Sequence, residues 1–450
     1  MKKSKIADKF LNIPRIYRGK QYPKSKGMAI VREAKEHLVF NASEMPVGIH
    51  WSVLNKKAHE SIDGLVTAQD VIFYAQSKAG FDHRTLSSSW RPLLGSYTSM
   101  MISEFRHLSS LISTLGDSPY SRPETLLKYE GRLVSNVYFW HMMYILQCIT
   151  HVKERRIVCE IGGGYGAPAR LWLQNPAFRP GCYVDIDFPE SLFFAEVFLR
   201  VNFNDLKILY VSSPDRLSPD VVSKYSVILC PVNFVNAISS LSLDLVINTG
   251  SLQEMTDEWV DFWMQWLTKQ DCRWFYSMNY FAQPLYSQPE SRSTWSPRLT
   301  PEWTVRLQRF NPVSVKALGV YNRNIAEILA QKQPAVPRVG HQTAEAQYQL
   351  MKNRILDGQV LLESLDIIRL HPEESMIWDL LLRSVTEMPR IPKESWYLAD
   401  YLEKQATPAF QERNGEQLHN LRRQLNLMRL GGKEDLETYI RLSEAPKHHF

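Results

Sequence analysis

The chain has 450 residues but only five cysteines, Cys148, Cys159, Cys182, Cys230 and Cys272, with no C-x-x-C pair among them. An odd number set mostly in apolar runs argues against a disulfide framework and a zinc site, and predicts reduced, buried thiols. Long apolar runs are missing as well: mean hydropathy is −0.28, and no stretch approaches the ~20 residues of a membrane helix. The basic start Met1-Lys2-Lys3-Ser4-Lys5 has no apolar run behind it, so it fails as a signal peptide and the expected location is cytoplasmic. The twelve histidines are scattered, with only His448-His449 adjacent, so no metal centre is expected, although carboxylates alone can hold magnesium. A G-x-S-x-G elbow and a P-loop are also lacking.

What is present is an ordinary globular composition, 44% hydrophobic, long enough for two or three units. Charge is nearly balanced overall, at 53 Lys/Arg against 47 Asp/Glu, but residues 1–40 hold eleven basic residues against Asp8, Glu33 and Glu36. Such an arm can rest peripherally on an anionic membrane surface, approach another acidic polymer, or simply lie solvated on the body.

Periodicity divides the chain into a basic arm and helical cap (1–152), an α/β domain (153–330) and a helical extension (341–450). Thr67-Ala68-Gln69-Asp70 has capping-box form and opens a helix near 68–79. Ile102, Phe105, Leu108, Ile112 and Leu115 recur at helical spacing, and another helix is expected from about Leu133 to Val152. From Arg156 short apolar runs alternate with helical segments, as in a parallel sheet covered on both faces. The expected strands are 156–161, 182–186, 206–211, 226–230, 243–248 and 272–278, with helices at 189–200 and 257–267. The second of these helices carries Trp259, Trp263 and Trp266 on one face, a core stripe or a sugar platform. Trp303 to Leu307 alternates like a strand, with Val313 to Leu318 as its expected antiparallel partner. Tyr286 to Pro301 reads as a long loop, either a lid or a surface excursion, and Lys332 to Gly340 as a linker. Beyond it, Leu350, Ile355, Leu362, Leu365 and Ile368 keep helical spacing that suits a protein partner.

Chemistry concentrates at Ile157-Val158-Cys159-Glu160-Ile161-Gly162-Gly163-Gly164-Tyr165-Gly166, a strand that passes through a carboxylate into glycines at alternate positions. Glycine lets the backbone turn sharply and approach a ligand, and Ala167-Pro168 then opens a helix. The spacing also satisfies the dinucleotide fingerprint G-x-G-x-x-G/A. Glu160 separates the two readings, since a carboxylate beside the first glycine repels a pyrophosphate and attracts an ammonium. In an open parallel sheet the other strand ends line the ligand. Asp187, at the end of the second strand, can accept both ribose hydroxyls of an adenosyl group or act as a helix cap.

Four segments together carry a resemblance: Glu160 to Gly166, Asp187-Phe188-Pro189-Glu190, Asn248 to Met255, and Phe275-Tyr276-Ser277-Met278-Asn279. They resemble the sugar O-methyltransferase family found among bacterial surface-polysaccharide genes, within the class I S-adenosylmethionine-dependent methyltransferases. The likeness spans roughly residues 90–320; family members more often have Leu where Phe188 stands and a larger residue at Gly250. It implies a Rossmann-like sheet, mostly parallel with an antiparallel last strand. It also implies S-adenosylmethionine held by Glu160, Gly162, Gly163, Gly164, Tyr165, Gly166, Asp187, Asn248, Thr249 and Gly250, and a glycan or nucleotide-sugar-derived acceptor. An O-methyltransferase needs a base and in-line alignment. Glu254, six residues past a strand end and expected at a helix start, is the first candidate base, or a capping group; His141 is the second, or a packed core residue. Asn279 and Tyr280 are candidates for orienting the acceptor. No Asn-Pro-Pro-Tyr-like turn occurs at 248–255, which disfavours nucleic-acid bases as acceptors.

Overall fold

The computed structural model describes residues 15–16, 19–38, 49–79, 98, 101–213, 215, 217–280, 299, 303–310 and 325–332. In chain order they form β1 (Arg15–Ile16), α1 (Lys24–His37), α2 (Ile49–Ile62), α3 (Ala68–Ser77), α4 (Ser109–Thr114), β2 (Leu127–Tyr129), β3 (Arg132–Val134), α5 (Asn136–His151), β4 (Ile157–Ile161), α6 (Ala167–Gln174), β5 (Cys182–Asp187), α7 (Pro189–Asn202), β6 (Ile208–Tyr210), α8 (Pro219–Val222), β7 (Val227–Pro231), β8 (Leu243–Thr249), α9 (Asp257–Lys269), β9 (Cys272–Tyr280), β10 (Trp303–Phe310) and β11 (Ile325–Lys332).

Eight strands make one sheet in the order β10-β11-β9-β8-β4-β5-β7-β6. The strands β6, β7, β5, β4, β8 and β9 run parallel, and β11 enters antiparallel between β9 and β10. This is the Rossmann-like α/β fold expected from the sequence. The chain leaves β4 for β5 on one side and later returns to β8 on the other. That reversal makes the carboxyl ends of β4 and β8 the topological switch point, where open α/β sheets bind ligands.

The strand residues alternate between two cores because side chains along a strand point to opposite faces. Val158, Tyr183, Leu245 and Tyr276 pack against α5, α6 and α7, whereas Cys159, Val184, Val246 and Phe275 pack against α9. The stripe Trp259, Trp263 and Trp266 belongs to that second core, each ring buried. A third cluster joins Val31 and Ala34 of α1 and Ala68, Val71, Ile72 and Ala75 of α3 to Phe193, Phe194, Val197 and Phe198 of α7. Part of the basic N-terminal region is therefore packed helix. The capping box at Thr67 and Asp70 forms in both directions, the Thr67 N–H donating to Asp70 and the Asp70 N–H to Thr67 Oγ1. All five cysteines are free and buried, and burial pushes Cys182 and Cys272 up to about 12.

Several expectations need correction. The helix over 102–115 is broken: Phe105, Ile112 and Leu115 are buried, but Ile102 is 39% exposed, and a 3-10 turn at Arg106–Leu108 resets the phase. Leu133 lies in β3, and the following helix starts at Asn136, where Ser135 accepts the Tyr138 N–H at 3.1 Å. The cap is not wholly helical, since β1, β2 and β3 form a small antiparallel sheet. Helix α5, counted with the cap, packs directly under the main sheet. The partner of β10 is β11; Val313 to Leu318 lies outside the described residues, as do the loop over 286–298, the linker beyond Lys332 and the extension 341–450. Among the described residues no helix is long and apolar enough to cross a membrane.

Candidate functional site

The site begins where β4 ends. Gly162, Gly164 and Gly166 have φ of +78°, +63° and +83°, left-handed backbone that costs about 1–2 kcal/mol for a residue bearing a Cβ. Gly163 is required by space: a Cβ there would fall 2.7 Å from Asp185 Cγ, and one on Gly162 would fall 2.7 Å from Ser251 Cβ. The loop thus lies directly on two side chains. Three of its N–H groups are engaged internally, Gly162 donating to Ile186 O (2.8 Å), Gly164 to Asp187 Oδ2 (2.8 Å) and Gly166 to Gly163 O (3.3 Å).

Three carboxyls sit beneath that loop. Glu160 and Asp185 are register partners on β4 and β5, and Asp187 follows two residues later on the same face. Glu160 is 1% exposed and takes the Tyr144 O–H at 3.3 Å on one oxygen and the Tyr183 O–H on the other. Burial pushes it up to about 7, against the pull of both phenols. Asp187 accepts Gly164 N–H and Phe188 N–H (2.7 Å); burial raises it to about 6, with those two donors and Ser191 opposing. Asp185 is wholly buried and neither oxygen meets hydrogen-bond geometry with a partner. Burial first, then the charges of Asp187 and Glu160, drive it well above the usual carboxylate range, the Gly163 N–H opposing only in part. Burial in that state favours the neutral acid over the carboxylate.

The other half of the strand-end surface is made of amides. Asn248, fully buried, donates to Ile161 O (2.9 Å) and Ser251 Oγ (2.6 Å), and its oxygen accepts the Leu252 N–H (3.2 Å). Asn279 donates to Asn248 Oδ1 and to Ser277 Oγ, both at 2.9 Å, and accepts the Gln253 N–H at 3.4 Å. Ser251 Oγ donates to Ile161 O at 3.2 Å, tying the β8 turn to the β4 terminus. Thr249 is half-buried, and Gly250, with φ +69°, donates to Met278 O at 2.9 Å.

The expected site residues therefore separate. Glu160, Gly162, Gly163, Gly164, Gly166 and Asp187 meet at the loop; Asn248, Gly250 and Asn279 form the adjoining scaffold. Tyr165 keeps only its backbone there, because its ring packs 5.0 Å from Phe198 in the cluster shared with α1 and α3. Glu254 ends a 3-10 turn (Leu252–Glu254), half-buried, and the helix begins only at Asp257. His141 lies on α5 with its ring 6.0 Å from Tyr144, which in turn bonds Glu160. Tyr280 ends β9 opposite Ile325. The sequence reading assigns a role to Asp187 but to neither Ser251 nor Asp185. Their signals were a small hydroxyl just past Gly250 and a second acid in step with Glu160.

One other cluster could hold a metal among the described residues: Glu33, His37 and Glu196, with ligand atoms within 4.8 Å of one another. Arg200 already pairs with Glu196 (2.8 Å) and Glu33 (3.0 Å), so those charges are met by protein.

The loop fits the methyl donor that the resemblance implies. The Gly162, Gly164 and Gly166 N–H groups are spent on protein oxygens and not free for phosphate, and the carboxyls beneath the loop favour a cation. No protein-family profile and no curated protein matches the chain. Among solved structures it is similar to the methyltransferase domain of bacterial CtHen1 at 14% identity, covering 42% of this chain and 97% of that one, TM-score 0.30. It is also similar to an rRNA methylase from Escherichia coli (10% identity, 67% and 100% covered, TM-score 0.28). A third is magnesium protoporphyrin IX methyltransferase from Synechocystis PCC 6803 (11% identity, 43% and 80% covered, TM-score 0.26). The fold assignment rests on strand order and not on scores of this size.

Proposed function

We propose that the chain is an S-adenosylmethionine-dependent methyltransferase acting on a hydroxyl of a glycan or nucleotide-sugar-derived acceptor. The observation that carries the donor half is the glycine loop, where the Gly162, Gly164 and Gly166 N–H groups are engaged by the protein while three carboxyls lie below it. That arrangement suits a sulfonium or ammonium and opposes a diphosphate. The bound donor supplies an electrophilic methyl group; the glycine backbone, Glu160 and Asp187 would hold it. The protein's own tasks are to align the acceptor hydroxyl and to remove its proton, alignment contributing the larger share of the rate. Glu254 is the proposed base and His141 the second candidate. The sugar acceptor is supported by the sequence resemblance over the four segments. The basic arm is proposed to contact an anionic membrane surface, and residues 341–450 a protein partner.

Two variants test this. Asp187→Asn keeps an acceptor for the Gly164 N–H and removes the charge, so donor affinity should fall about 10-fold or more, the range for a bond to a charged group; unchanged affinity removes Asp187 from the site. Glu254→Gln should retain donor affinity and lose about 10²–10⁴ in turnover, the usual share of a general base. Mass spectrometry of surface glycans from a deletion strain should show the loss of one methyl; an unaltered glycan profile dismisses the sugar acceptor.

A further inference from the structure

Glu160, Asp185 and Asp187 form a stack of acids on one sheet face. Val158 and Glu160 on β4, and Tyr183, Asp185 and Asp187 on β5, share the face covered by α5, α6 and α7. Glu160 is 1% and Asp185 0% exposed, and the loop backbone at Gly163 closes over Asp185 so tightly that no Cβ fits. The groups facing the stack are Tyr144 from α5, Tyr183 from β5, and Glu190 with Ser191 at the start of α7, while the Cys159 and Cys230 thiols lie on the other side of the sheet. His59 reaches the outer side of Glu190 at 4.0 Å. Carboxyls stacked in a low-dielectric site oppose one another's ionisation, so the stack keeps a proton more readily than isolated carboxyls do.

We propose that the glycine loop takes up its cationic ligand in exchange for a proton released from the Glu160–Asp185–Asp187 stack, with Asp185 setting how much proton leaves. The inference rests on the methyl-donor reading. An approaching cation favours the ionised carboxylates, which lowers their protonation in the complex relative to the free protein. The sign follows: the free groups titrate near pH 6 to 7 and the complex below that, so between those limits affinity rises with pH, by at most tenfold per unit for one proton. The spent product, S-adenosylhomocysteine, keeps the ammonium but has lost the sulfonium charge. It should release less proton and show a shallower slope, so the stack favours fresh donor over product as pH rises.

The test is calorimetric titration of full-length protein with S-adenosylmethionine and with S-adenosylhomocysteine at about pH 6.5, in phosphate and in imidazole, whose ionisation enthalpies differ. The expected result is a buffer-dependent enthalpy of the sign for proton release, larger for the donor than for the product. Asp185→Asn, which keeps the shape and stays neutral, should still bind donor while releasing less than half as much proton. Donor binding with identical enthalpy in both buffers overturns the exchange and leaves the methyl-donor reading standing. Failure of both nucleotides to bind overturns that reading and the exchange together. Should Asp185→Asn fail to fold, the wild-type affinity measured from about pH 5.5 to 8 decides alone, a flat profile counting against the proposal.

Discussion

The β4–β5 half and the β8–β9 half of the strand-end surface are built from opposite chemistry. On β8–β9, Asn248, Ser251 and Asn279 use their amides and hydroxyl on one another, on Ile161 O and on the Leu252 and Gln253 N–H groups. On β4–β5, Asp185 has two unpartnered buried oxygens, and Glu160 and Asp187 are held away from their ordinary ionisation. A satisfied polar network specifies shape, because breaking it leaves buried groups unmet. Acids held buried, with Asp185 unpartnered, cost stability in the free protein, and such perturbed groups cluster at functional sites. The amides hold the turn in place; the acids are proposed to select the ligand.

The largest expected effect is on the amide side. Asn248→Ala leaves Ile161 O, Ser251, the Leu252 N–H and the Asn279 amide with fewer partners; at about 1–3 kcal/mol per unmet buried group the loss is several kcal/mol. Denaturant melts should show it, and a change below about 1 kcal/mol would mean the network is not what holds the β8 turn.

The acid side should respond with the opposite sign. Glu160 rises from its ordinary 4.5 to about 7, so between those values the folded protein binds more protons than the unfolded chain. Stability therefore falls as pH rises through that window, by roughly 3 kcal/mol, and Asp187 adds a fall of the same sign between 3.8 and about 6. Glu160→Gln should flatten the profile and melt above wild type at about pH 8; a variant less stable there than wild type would contradict the assignment.

The smallest effect sharpens the contact between the two halves. Gly162→Ala combines strain at φ +78° with a clash against Ser251 Cβ. In a Ser251→Gly background, which removes the clash along with the Ser251 hydrogen bonds, Gly162→Ala should cost only the backbone strain, about 1–2 kcal/mol relative to that background. No cost in that background would mean that space alone, and not backbone conformation, requires Gly162.

Much of this was legible in the sequence. Every expected strand from 156 to 278 appears within about two residues, because runs such as Val227 to Cys230 are apolar on both faces and bounded by polar turns. Thr67 and Asp70 announced their cap through side-chain chemistry alone. What failed depended on tertiary context. Ile102 has the right spacing but faces outward once the turn at Arg106 intervenes. The strand Ile325–Lys332 carries Glu327 at 0% exposure, a charge that interrupts the apolar pattern by which strands are recognised. Tyr165 stands among the loop glycines yet packs on Phe198 of α7 in a core shared with α1 and α3, a contact no local pattern encodes. At the site, the glycines and Asp187 were readable from spacing, whereas Asp185 acquires its character only from Gly163 lying above it and Glu160 beside it.

The most direct test is a pair of calorimetric titrations of the wild-type protein, one with S-adenosylhomocysteine and one with NADH. The carboxyl-lined loop predicts saturable binding of the first and no measurable heat from the second. Saturable NADH binding with no response to S-adenosylhomocysteine would contradict it.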